Sequence, residues 1–282
     1  MTVIKLGCAQ MHVSFEDMQS NFNKAKDLIE KASRQNIGTL VFPEMFATGF
    51  SLNTTLAQGE SDSIVMFLKD QAVKYDINII AGYMSVGKNR PQNVAIAVNR
   101  HGRIIARYAK RRLFRPANEH NIMTPGDSEV LFELDGVMIS LFICFDLRFP
   151  ELYRKSARQS DLMITIAAWP LERQQHFETL LEARAIENQC YSVGVNQTGE
   201  SGGIEYGGGS AIISPKGVTL IRKYGDEVLI SAPVDTELVE TVRREFPVEA
   251  FNDDNFSNTK VEINHAVTGK KPNCTSRGFK PF

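Results

Sequence analysis

A chain of 282 residues, 43% of them hydrophobic and 23% charged, has material for a large buried core. It is too long for a disulfide-stapled mini-protein and too ordinary in composition for a fibre or a wholly disordered chain. With 32 Lys+Arg against 33 Asp+Glu and a formal net charge of -1, no global positive field is available to hold a nucleic acid, so a small-molecule partner is expected.

Cys8, Cys144, Cys190 and Cys274 are scattered, without a C-x-x-C pair. That spacing argues against a disulfide framework or a zinc ribbon and suits a reducing cytoplasm. The start of the chain lacks the pattern of a signal peptide, and no apolar run approaches the roughly 20 residues that span a bilayer. A soluble, cytoplasmic protein is expected.

Residues 3–9 read as a short apolar strand, and 18–33 carry apolar side chains at helical spacing. A buried-type strand follows at 39–44, ended by Pro43, then a helix near 62–75 and a strand at 77–83. Residues 93–99 and 103–108 read as a hairpin around Arg100-His101-Gly102, and 130–134 with 137–143 as another around Asp135-Gly136. A helix from about 150, a buried strand at 162–168, a helix at 173–188, a strand at 191–196 and further strands over 209–234 complete the pattern. Two α/β halves building one sheet system, with helices on both outer faces, are expected over residues 1–250. Residues 251–282 turn polar and read as an arm or a disordered tail, one that also suits a subunit contact.

Cys144 ends an apolar run and precedes Phe-Asp-Leu-Arg-Phe-Pro150. A strand that delivers a thiol to a sharp turn exposes sulfur at the sheet's carboxyl edge, beside N–H groups able to receive an oxyanion. The plainer alternative is an inert core cysteine. Glu44 also ends a buried strand, where partial desolvation makes a carboxylate a usable base, although a surface glutamate is an equal alternative. Lys110 follows a third strand; it could hold a glutamate ionised and donate to an oxyanion, or belong to the solvated basic face of Arg111, Arg112 and Arg115. No G-x-S-x-G, H-E-x-x-H or Walker A motif competes.

Taken in order, Phe42-Pro-Glu44-Met, Lys110-Arg-Arg-Leu-Phe114 and Cys144-Phe-Asp-Leu-Arg-Phe-Pro150 resemble the Glu-Lys-Cys motifs of the nitrilase superfamily of carbon-nitrogen hydrolases, over about residues 3–247. The segments around Glu119, Ala168-Trp-Pro-Leu-Glu-Arg173 and residues 181–189 look like its omega-amidase branch. The resemblance implies an α/β, four-layer α-β-β-α sandwich and hydrolysis of the distal amide of small omega-amido dicarboxylates such as 2-oxoglutaramate. It implies Glu44 as base, Cys144 as nucleophile forming a thioester, and Lys110 with the Phe145 N–H as oxyanion donors. No metal or organic cofactor is implied, and a homodimer is the family's usual minimum. Two departures stand out, Arg112 where the family often has His and Phe145 where it often has Tyr.

Glu119 matches a second glutamate near the triad, expected to position Lys110 and the substrate amide; a loop salt bridge is its alternative. Arg173 is the expected partner of the substrate's free carboxylate, with Trp169 and Phe50 walling the pocket, against the alternative that Arg173 caps a helix and Trp169 is ordinary core. Asp146 and Arg148 are expected to fix the turn by hydrogen bonds and an ion pair, pointing away from the thiol. An N-carbamoyl amide hydrolase and a catalytically silent binding protein on this fold are the rival functions.

Overall fold

A computed structural model describes residues 2–248; the expected tail at 251–282 and Cys274 lie outside them. The chain opens with β1 (Val3–Gln10), α1 (Met18–Arg34), β2 (Thr39–Val41), α2 (Ser63–Tyr75) and β3 (Asn78–Ser85). Asp17 caps α1 by accepting from Ser20 N, and Asp76, in the left-handed region at φ 49°, ends α2. β4 (Gln92–Val98) and β5 (Ile104–Ala109) form the first expected hairpin.

After the short α3 (Glu119–Ile122) come β6 (Leu131–Leu134), β7 (Val137–Ile143), α4 (Pro150–Ala157), β8 (Leu162–Ala167), α5 (Gln174–Asn188) and β9 (Tyr191–Asn196). β10 (Thr198–Ser201), β11 (Ile204–Ile213), β12 (Thr219–Tyr224), β13 (Val228–Asp235) and α6 (Thr236–Glu245) close the described chain.

These strands make two sheets. The six-stranded sheet runs β13-β1-β2-β3-β4-β5, and the seven-stranded sheet runs β10-β11-β9-β8-β7-β6 with β12 added on β11. The two sheets are those of the four-layer sandwich that the resemblance implies, with helices on both outer faces. There are two stacked sheets, and the late strand β13 returns to pair antiparallel with β1, Val3 opposite Asp235.

Alternation along β1 explains the stacking. Leu6 and Cys8 point into the space between the sheets, where they join Val41, Ile80, Ile139, Ile143, Ile164, Ile166, Val193 and Val195. On the outer side, Ala9 joins Leu40, Ile79 and the α1 residues Ala25, Leu28 and Ile29. The second sheet's outer face, Phe142, Met163 and Ala211, is covered by Leu152 and Tyr153 of α4 and Phe177 and Leu181 of α5. The result is the four-layer α-β-β-α sandwich, with parallel strands buried on both faces at the middle of each sheet.

The β10–β11 hairpin and α6 are additions to the sequence reading. β10 is the polar tetrad Thr-Gly-Glu-Ser, which carries no apolar alternation, although Gly202-Gly203, both at positive φ, marks its turn. α6 is capped by Asp235, which accepts from Glu237 N.

Candidate functional site

The site forms where the carboxyl ends of the central parallel strands of both sheets meet. β2 stops at Val41, and the chain passes Phe42 and Pro43 to Glu44. Gly82 of β3 admits this segment: a Cβ there would lie 3.0 Å from Glu44 Cα and 2.6 Å from Ile166 Cδ1. β5 delivers Lys110, whose N–H donates to Asn93 O. β7 delivers Cys144 at φ 46°, a left-handed conformation that a non-glycine residue adopts only under strain. The sharp turn expected after the apolar run is therefore present.

Glu44, Lys110 and Glu119 are buried with their side chains fully shielded. Lys110 Nζ donates to Glu44 Oε1 at 2.9 Å and lies 3.0 Å from Glu119 Oε2. Glu44 Oε2 accepts from Ala168 N at 2.8 Å, and Glu119 Oε2 from Phe114 N at 2.6 Å. Burial alone pulls the Lys110 ammonium down, but Glu119 and Glu44 outweigh it and hold the lysine charged.

The Cys144 thiol is only half-buried, and its Sγ lies 3.8 Å from Ala168 O. Burial and the facing Glu44 push the thiol well above its ordinary value, against the pull of Lys110. The resting sulfur is protonated, so forming a thiolate requires a base at hand.

Asn93 was not singled out in the sequence. Its Nδ2 donates to Glu44 Oε1 at 2.6 Å and to Glu119 Oε1 at 2.9 Å, tying the two carboxylates together across Lys110. The one available signal was a polar residue inside an apolar strand run. Asn93→Ala removes two charge-assisted bonds, so a loss of about 2 to 4 kcal/mol of stability is expected. A kcat reduced by about 10- to 100-fold should accompany it, that is, roughly 1.4 to 2.7 kcal/mol on the barrier. Thermal melts and steady-state kinetics on the purified variant check both.

Asp146 does fix the turn by hydrogen bonds. Its Oδ2 accepts from Ile143 N at 3.1 Å and Tyr108 Oη at 2.8 Å, and its Oδ1 from Arg112 N at 2.8 Å. The expected ion pair with Arg148 is corrected: Arg148 turns instead to the Trp169 ring, 4.8 Å from its centroid, and donates to His176 Nδ1 at 3.1 Å. Burial, opposed by those hydrogen bonds, pushes the Asp146 carboxyl up to about 6. Its folded-state value lies above the free value of 3.8, so folding takes up a proton between these limits. This group's contribution therefore declines as pH rises through about 4 to 6. Asp146→Asn should abolish that slope; a wild-type-minus-variant stability difference that stays flat over the window would contradict it.

The remaining expected residues are dispersed around the thiol. Phe50 places its ring 5.4 Å from Lys110 Nζ. Trp169 is buried against Phe177 and donates its indole N–H to Arg173 O at 2.8 Å, so it serves the core as well as the site's edge. Arg173 lies over the Phe114 ring at 5.6 Å and pairs with its neighbour Glu172. Its backbone precedes α5, as the helix-capping alternative had it. Phe145 packs edge-on against Phe114 and Phe149, an environment without need of a hydroxyl. The Arg112 side chain leaves the site for Glu151 and the Phe149 ring.

Residues 5–244 match the family model described as carbon-nitrogen hydrolase. The chain belongs to this family. This carbon-nitrogen hydrolase is 37% identical over 247 residues to a 2-oxoglutaramate amidase of Bacillus subtilis, covering 86% of this chain and 95% of that one. It is 34% identical over 258 residues to the omega-amidase YafV of Yersinia enterocolitica, covering 90% and 97%. Among solved structures it is similar to a CN-hydrolase superfamily protein of Xanthomonas campestris with an arsenic adduct in the active site. That pair has a TM-score of 0.85 and 27% identity, over 90% of this chain and 98% of the other.

Proposed function

We infer that this protein is an omega-amidase, which hydrolyses the distal amide of a small omega-amido dicarboxylate such as 2-oxoglutaramate to the acid and ammonia. The observation that carries the reading is a buried Lys110 held between Glu44 and Glu119 beside a strained, half-open Cys144. The names of the relatives narrow it from amides in general to omega-amides.

In this reading Glu44 accepts the thiol proton as Cys144 attacks the amide carbon, and Lys110 with the Phe145 N–H receives the oxyanion. Glu44 returns the proton to the departing ammonia. Water then attacks the thioester with Glu44 again as base, and the thiol is restored. Fixed donors hold both oxygens of Glu44 in place, Ala168 N on one and Lys110 and Asn93 on the other. The substrate's free carboxylate is met by Arg173 and by Arg148, whose guanidinium has a histidine nitrogen rather than a carboxylate as partner. The reading carries with it a homodimer in the cytoplasm, checked by a light-scattering mass near twice that of one chain.

Ammonia release from 2-oxoglutaramate, glutamine and N-carbamoyl-β-alanine tests the assignment. The expected order has 2-oxoglutaramate fastest. Preference for the carbamoyl compound would replace omega-amidase by carbamoyl hydrolase, and inertness to all three would favour a silent binding protein.

A further inference from the structure

Ala168 meets both Cys144 and Glu44. Its carbonyl oxygen lies 3.8 Å from Cys144 Sγ, and its N–H donates to Glu44 Oε2 at 2.8 Å. Neither contact involves the alanine side chain, so the backbone of the turn after β8 aims them. The turn itself supplies little to fix it, since Pro170 follows Trp169 without an N–H to give.

Asn196 ends β9, the parallel neighbour of β8, and stands opposite Ala167. It is fully buried. Its Oδ1 accepts from Trp169 N at 2.7 Å, and its Nδ2 donates to Trp169 O at 3.0 Å and to Gly208 O at 2.9 Å. A trans peptide unit is planar, with C=O and N–H on opposite edges. The Ala168 C=O and the Trp169 N–H belong to one such unit, so Asn196 grips one edge while the other faces the thiol. The next unit, Trp169–Pro170, has its carbonyl as its only polar group, and Asn196 holds that too. One side chain thus fixes two consecutive peptide planes.

Asn196 is itself anchored. Its N–H donates to Ser210 Oγ at 3.0 Å, and its O accepts from the same hydroxyl at 3.2 Å. Ser210 N in turn donates to Gln10 Oε1 at 3.0 Å, at the end of β1 in the other sheet. Gly208 O comes within reach of Asn196 where the β11–β12 register shifts between Gly208 and Ser210, with Gly208 and Gly209 both at positive φ. A chain of buried, hydrogen-bonded groups therefore runs from the first sheet to the turn that carries Ala168.

We propose that Asn196 is a positioning residue for amide hydrolysis: it fixes the Ala168–Trp169 turn so that Ala168 holds the Glu44 carboxylate and faces the Cys144 sulfur at once. Asn196 touches neither reacting group. The inference rests on the reading in which Glu44 takes the Cys144 proton. Displacing such a pair by about 1 Å costs about 10²-fold in rate, without touching the groups that bind the far end of the substrate.

Asn196→Ala frees both peptide planes and should lower kcat for 2-oxoglutaramate about 100-fold, with KM within about threefold of wild type. Asn196→Asp keeps an acceptor for the Trp169 N–H and should recover about tenfold of that loss. Both variants lose hydrogen bonds and melt earlier, so rates are read at a temperature where circular dichroism shows the wild-type fold. Alkylation of Cys144 by iodoacetamide separates positioning from loosening. A misplaced base slows alkylation along with kcat, whereas a merely loosened site exposes the thiol and leaves the rate unchanged or raised. A folded Asn196→Ala with kcat within about threefold of wild type would overturn the inference, and so would lost turnover with alkylation at or above the wild-type rate. If Asn196→Ala does not fold, Asn196→Asp decides by the same two criteria. Wild-type inertness to 2-oxoglutaramate would overturn the omega-amidase reading alone, because alkylation tests Asn196 without a substrate.

Discussion

Cys144→Ala is expected to lower kcat/KM for the preferred amide by about 10⁴-fold or more, because in the proposed mechanism Cys144 is the nucleophile and the remaining groups act through its sulfur. The fold should not suffer. The thiol makes one weak hydrogen bond among the described residues, to Ala168 O, and alanine meets the same left-handed backbone as cysteine does. Stability should therefore stay within about 1 kcal/mol of wild type, which a denaturant titration can read. A stable variant without turnover separates chemistry from architecture. A stable variant with full turnover would remove Cys144 from the reaction.

Lys110→Ala should be damaging in two ways at once. It strips the counter-charge from Glu44 and Glu119, both fully shielded from solvent and joined through Asn93. Breaking a buried ion pair by removing one partner costs about 3 to 5 kcal/mol. In the proposed mechanism it also deletes an oxyanion donor, worth about 10²- to 10³-fold in kcat in comparable sites. The two effects are separable: Lys110→Ala combined with Glu119→Gln removes one uncompensated carboxylate and should recover part of the stability without recovering activity. Recovery of both would mean that Lys110 serves only to neutralise its neighbours. Denaturant titrations and kinetics on the single and double variants give the comparison.

The residues that ended apolar strands were readable because strand ends leave a pattern. Glu44 and Cys144 each follow a run of buried apolar side chains, Lys110 follows the alternating strand β5, and the structure brings all three together. Residues that act across strands left no such trace. Asn93 meets Glu44 and Glu119 only because β3 and β4 pair with Met84 opposite Asn93, a register no single segment encodes.

Arg148 was placed at the turn by proximity in sequence, whereas the five-residue 3-10 turn Cys144–Arg148 swings it to Trp169 and His176. The return of the chain to the first sheet was hidden for a similar reason. β13 lies far along the chain from β1, and its return could not be seen in local periodicity. The polar β10 and the single-sided α6 carried weak apolar signals, and tertiary pairing made up the difference.

The proposed reaction cleaves an omega-amide through an acyl-enzyme on Cys144. Rapid acid quench of the enzyme during turnover of 2-oxoglutaramate, followed by intact-mass and peptide mass spectrometry, tests it most directly. The predicted result is a transient adduct with the mass of the substrate's acyl group, carried on the Cys144 peptide and absent from Cys144→Ala. Turnover with that peptide unmodified throughout, or an adduct on a different residue, would contradict it.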